Sequence, residues 1–104
     1  MAEFLIELYV SRGDGAAAER DAELARSAAE QLTLRGTPVS CLRGIFVPED
    51  ETCFLLYEAA SAEAVQEAAE LAGLQFDHVA EAVRTGDGSS RARRDSPRDL
   101  LGEV

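Results

Sequence analysis

The sequence predicts an α+β domain in which two helices cover one face of a four-stranded antiparallel sheet, and three observations predict it. Four short segments, residues 3–10, 39–47, 52–59 and 76–83, are apolar in the manner of strands. Two Ala-rich stretches with helical spacing separate the first strand from the second and the third from the fourth. A short acidic run, Pro48-Glu49-Asp50-Glu51, joins the middle two strands directly, so the order is β-α-β-β-α-β.

Each element follows from local signals. In "EFLIELYV" (3–10), Phe4, Ile6, Leu8 and Val10 fall on one face and Leu5, Glu7 and Tyr9 on the other. "RGDG" (12–15) breaks this strand. The following helix carries Leu24, Ala28 and Leu32 at intervals of four, and Arg35-Gly36 with Pro38 ends it. "VSCLRGIFV" (39–47) and "TCFLLYEA" (52–59) are the second and third strands. Ser61 is placed to cap the second helix, Glu63 sits favourably in its first turn, and Gly73 stops it. "FDHVAEAV" (76–83) supplies the last strand, and its phase leaves open whether His78 or Glu81 shares a face with Glu7.

The third strand raises a question of cover. Its middle, Cys53-Phe54-Leu55-Leu56-Tyr57, has no polar face. Two helices on one side of a sheet cannot bury both sides of such a strand, and an antiparallel sheet faces water only where its surface is polar. The second face is therefore expected to meet another copy of itself, giving a homodimer that closes a dimeric α/β barrel. A monomer with an apolar ligand groove is the alternative.

A tight hairpin centred on Glu49-Asp50 sets Cys41 opposite Glu58 and Arg43 opposite Leu56. On that register Cys41, Arg43, Ile45, Phe54, Leu56 and Glu58 share one face. Leu42, Phe46, Cys53, Leu55 and Tyr57 share the other, which reads as the helix-side core. The two cysteines then lie on opposite faces, too far apart for a disulfide, and are expected as reduced core thiols.

Composition bounds the rest. At 104 residues one domain is expected, and the 46% hydrophobic and 29% charged content is that of a soluble globular chain. Character changes at Arg84: "RTGDGSSRARRDSPRDLLGEV" has almost nothing apolar before Leu100. Residues 1–84 are therefore expected to form the domain and residues 85–104 a flexible Arg-rich tail, with Ser96-Pro97 placed to start one helical turn. The net charge is −10 and all ten bases are arginine, which opposes nucleic-acid binding because phosphate neutralisation needs a basic stripe. No apolar run approaches the roughly 20 residues of a membrane span. No basic region precedes the first apolar run, so no secretory leader and a cytoplasmic location are expected.

The run "FVPEDETCFLLYEAASAEAVQEAAELAGLQFDHVAEAV", with "EFLIELYV" near the start, resembles a family of small bacterial ferredoxin-like proteins of mostly unknown function. The resemblance covers residues 3–83. It implies the ferredoxin-like fold and a dimer, and it implies nickel as a ligand because some members are described as nickel-binding. Many relatives carry a histidine in the second helix where this chain has Ala68, and that departure weakens the implication of nickel.

Candidate chemistry concentrates on the second sheet face. Glu7, Tyr9, Arg43 and Glu58 are the candidate catalytic residues there, because a carboxylate facing an apolar cavity has its pKa raised and can serve as general acid or base. An Arg43–Glu58 or Arg43–Glu7 ion pair at a dimer seam is the structural alternative. His78, the single histidine, and Glu81 are the candidate metal ligands, within one chain or shared between two. "RGDG" lacks the spacing and lysine of a phosphate loop, and no Ser-His-Asp or Cys-His arrangement is present. Three readings follow. The first is a small dimeric ligand- or metal-ion-binding protein. The second is a cofactor-free dimeric α/β-barrel enzyme of cyclase, isomerase or monooxygenase type, using a carboxylate in the cavity or at the seam. The third is an interaction module whose contact element is the Arg-rich tail.

Overall fold

Period-two alternation sorts the first strand, β1 (Ala2–Tyr9), into an inner row of Phe4, Ile6 and Leu8, all buried, and an outer row of Glu3, Leu5, Glu7 and Tyr9. The computed structural model describes residues 1–86, and the expected tail with its turn at Ser96-Pro97 lies almost wholly outside them.

Asp14 caps helix α1 (Gly15–Leu34): its Oδ1 accepts from the Ala17 amide at 3.1 Å. At the other end Gly36 takes φ +102°, and the Thr37 amide donates to the Leu32 carbonyl at 2.9 Å, which closes the last turn. Thr33 Oγ1 donates to the Val39 carbonyl at 2.8 Å and accepts from the Val39 amide at 3.1 Å, fixing the helix end to the next strand. The buried stripe is Ala18, Ala25, Ala28, Ala29 and Leu32, whereas Leu24 is exposed. Small side chains along this stripe let the helix lie close on the sheet. At Gly44 an added Cβ would stand 3.1 Å from Leu55 Cδ2 and 3.6 Å from Ala22 Cβ, so a larger residue there would crowd both layers.

Strands β2 (Val39–Val47) and β3 (Thr52–Ala59) form the central hairpin. Their link is a 3-10 turn at Pro48–Asp50 followed by Glu51 at φ 50°, rather than a two-residue turn. Pairing runs Val47↔Thr52, Ile45↔Phe54 and Arg43↔Leu56 as the hairpin reading expects, and then changes. A β-bulge between Cys41 and Arg43 makes Leu42 the extra residue, so Cys41 pairs with Tyr57 and not with Glu58. This corrects the expected faces. Cys41 turns into the helix-side core, Leu42 turns outward, and both cysteines lie buried on one side of the sheet as free thiols.

Ser61 Oγ accepts from the Ala64 amide at 3.2 Å and starts helix α2 (Ala62–Leu71), which ends where Gly73 takes φ +76°. Strand β4 (Ala80–Ala82) is much shorter than the expected 76–83. The strand order β2-β3-β1-β4, with antiparallel neighbours throughout, and two helices on one face make this the ferredoxin-like fold. Tyr57, Ile6, Leu55, Val65 and Cys53 are its largest fully buried side chains. Among the described residues, no helix is long and apolar enough to cross a membrane.

Candidate functional site: the open face of the sheet

The register turns the uncovered face into a grid. Reading across β2, β3, β1 and β4, one row is Ser40, Glu58, Glu3 and Ala82, and the next is Arg43, Leu56, Leu5 and Ala80. The third is Ile45, Phe54 and Glu7, and the last is Val47, Thr52 and Tyr9. Side chains directly opposite in an antiparallel ladder share a face and lie close, whereas successive rows stand about 6.7 Å apart. The centre of this grid is apolar, with Phe54, Leu56 and Leu5 half-buried and Ile45 53% exposed. Charged groups rim it.

The four candidate residues therefore share the face but not one pocket. Glu58 and Arg43 occupy adjacent rows on neighbouring strands. Glu7 lies two rows from Glu58, about 13 Å along the sheet. Tyr9 stands at the hairpin end, 73% exposed. Among the described residues neither an Arg43–Glu58 nor an Arg43–Glu7 ion pair forms. Arg84 makes the pair on this face, its Nη2 donating to Glu3 Oε2 at 2.7 Å and its Nε to the same oxygen at 3.2 Å. That hydrogen bond, followed by the charges of Arg84 and Arg43, holds the Glu3 carboxyl below its ordinary value.

Arg84, Thr85 and Gly86 wall a shallow groove of about 490 Å³ with Glu3, Arg43, Ile45 and Leu56. The sequence reading missed Glu3, Leu42 and Arg84 as members of this surface. Glu3 was legible, since it shares the phase of Leu5 and Glu7. Leu42 depends on the bulge. Arg84 lies beyond the last strand and meets Glu3 across 81 residues, so no local pattern signals it.

Metal donors are scattered. Glu81 pairs with Phe4, whose side chain is in the core, so it shares the helix-covered side at the sheet edge. His78 is exposed and lines a separate groove with Gln66 and Glu70 of α2 and with Asp77. The residues of β4 on the open face are Ala80 and Ala82. Among the described residues no group of three or more His, Cys, Asp or Glu side chains could hold a metal ion. The thiols are poor donors as well: burial pushes Cys41 up to about 11 and raises Cys53, which keeps both protonated near neutrality.

Residues 4–82 match the model of a family described as "Nickel responsive protein SCO4226-like". Among solved structures, the chain is similar to the crystal structure of SCO4226 from Streptomyces coelicolor A3(2), with a TM-score of 0.54 and 22% sequence identity. That match covers 82% of this chain and 100% of the other, and at this identity it shows the fold alone. No curated protein matches the chain.

Proposed function

The chain belongs to the SCO4226-like family of nickel responsive proteins, and from that membership and its open sheet face we propose that it is a small ligand-binding protein acting as a homodimer. The observation that carries this is the uncovered apolar centre of the grid, Ile45, Phe54, Leu56 and Leu5, bordered by Arg43, Glu58, Glu7 and the Glu3–Arg84 pair. Apolar surface of this kind favours burial against a second surface. Two copies set face to face would enclose it and leave the rim charges as handles for a ligand. A small molecule with an apolar body and a charged group suits such a space.

Nickel fits poorly within one chain. It favours imidazole with carboxylate or thiolate support, and this sequence offers one histidine. His78 lies in the α2 groove, the cysteines are core thiols, and Ala68 is fully buried and offers no donor atom. The nickel response implied by the family description therefore needs donors that the described residues of a single chain do not bring together.

Native mass spectrometry of the purified protein, with metal analysis of the same sample, tests the proposal. A dimer carrying an organic adduct of defined mass is expected. A monomer, or a protein with stoichiometric nickel and no organic adduct, would overturn it.

A further inference from the structure

We propose that the groove at Arg43 on the open sheet face binds a monocarboxylate with an apolar body, and that Arg43 holds its carboxylate. The inference rests on the ligand-binding reading and deepens it, adding the sign and number of the ligand's charges and the residue that recognises them. Two guanidiniums, those of Arg43 and Arg84, line this groove with a single carboxylate, that of Glu3. They are not equivalent. Arg84 is committed to Glu3, donating from both Nη2 and Nε to the same oxygen. Arg43 is exposed and makes no hydrogen bond or ion pair among the described residues. Its charge does reach Glu3, where it helps to keep that carboxyl ionised. The groove is left with one positive charge to offer.

The register says where the rest of the ligand lies. Arg43 stands opposite Leu56 in the β2–β3 ladder. Ile45, 53% exposed, follows two residues along β2 on the same face, about 6.7 Å away. A carboxylate bonded to Arg43 therefore sets whatever it is attached to against Leu56 and Ile45. There an aliphatic or aromatic body takes apolar surface out of water, which a purely polar anion does not. The planar fork of a guanidinium matches the two oxygens of a carboxylate, so the head is held in a fixed orientation. The groove's volume of about 490 Å³ is that of a small-molecule site. Charge limits the ligand further. Glu58, opposite Glu3, lies one row to one side of Arg43, and Glu7, opposite Phe54, lies one row to the other. Neither lines the groove, but both flank it, and the chain's net charge is −10. A second negative charge on the ligand meets these carboxylates while Arg84 is already engaged, so dicarboxylates and polyanions are disfavoured.

The test titrates four compounds of one chain length into the full chain by calorimetry: octanoate, suberate, octylammonium and octanol. Octanoate is expected to bind most tightly. Arg43→Gln should weaken it by about tenfold or more, the effect of losing hydrogen bonds to a charged group, and should leave any octanol binding unchanged. Arg20→Gln removes the same charge from an exposed position on α1 and should leave octanoate binding as it was. In a backbone NMR titration, octanoate should shift the amides of Arg43, Ile45 and Leu56 and not those of Glu23 or Glu67 on the helices. Equal octanoate affinity in Arg43→Gln, suberate binding as tightly as octanoate, or shifts confined to the helices would overturn the inference. Octylammonium or octanol binding in preference to octanoate would overturn it too, while leaving a ligand-binding face. If none of the four binds, the inference falls, and the adduct mass from native mass spectrometry decides the ligand-binding reading separately.

Discussion

Cys41 stands directly opposite Tyr57 in the β2–β3 ladder, and the Tyr57 hydroxyl is buried with no hydrogen-bond partner among the described residues. A hydroxyl that leaves water without regaining a bond costs about 1–3 kcal/mol. Tyr57→Phe keeps the ring that fills the core and removes that group. Urea unfolding of the variant is expected to show stability unchanged or raised by about 1 kcal/mol. A loss of comparable size would mean that the hydroxyl is bonded in solution.

The same pair sets an alkaline limit. Burial raises the Cys41 thiol from 9.0 to about 11, against the opposing pull of Arg26. Above 9.0 the unfolded chain releases this proton and the folded chain holds it, so stability falls as pH rises from there towards about 11. Cys53, also raised by burial, adds a slope of the same sign. Urea midpoints measured across this window should fall with pH, and fall less steeply in Cys41→Ala. Equal slopes in the two proteins would contradict the assignment.

Glu3 behaves in the opposite sense. Its pKa is depressed below 4.5, chiefly by the Arg84 hydrogen bond, so whatever stability the pair contributes is present above that pH and is lost on acidification. Arg84→Ala should move the Glu3 titration, followed by carboxyl NMR, up towards 4.5. The melting temperature should hardly change, because an exposed ion pair contributes little.

Much of this fold was legible because its signals are local. Alternation gave the inner and outer rows of β1, and Ser61 and Gly73 marked the ends of α2 through the capping geometry that the structure contains. The bulge at Leu42 was not legible. "SCLRG" carries no proline or other distinctive mark at the inserted residue, and a one-residue insertion exchanges the faces of everything before it. That single irregularity moved Cys41 into the core and put Leu42 on the open face. β4 proved short although its apolar residues run from Phe76, because Phe76 and Val79 pack against the core from outside any strand. For the site, Glu7, Tyr9, Arg43 and Glu58 were correctly placed on one face. Their spread over that face, and the arrival of Arg84, depended on tertiary pairing that no short window contains.

Nickel titration by calorimetry is expected to give no submicromolar site dependent on His78. The imidazole is exposed and the described residues gather no group of three donors. Submicromolar binding abolished in His78→Ala would show that donors assemble around it.

The mass of the full chain in solution, compared with that of Phe54→Glu, tests the central claim most directly. Phe54 lies in the middle of the open face and only half-buried, so a carboxylate there spoils that surface and spares the helix-side core. Light scattering should give twice the 11.2 kDa chain mass for the unaltered protein and the single-chain mass for the variant, with both folded by circular dichroism. A monomer at every concentration, or a dimer indifferent to Phe54→Glu, would contradict association through the open face.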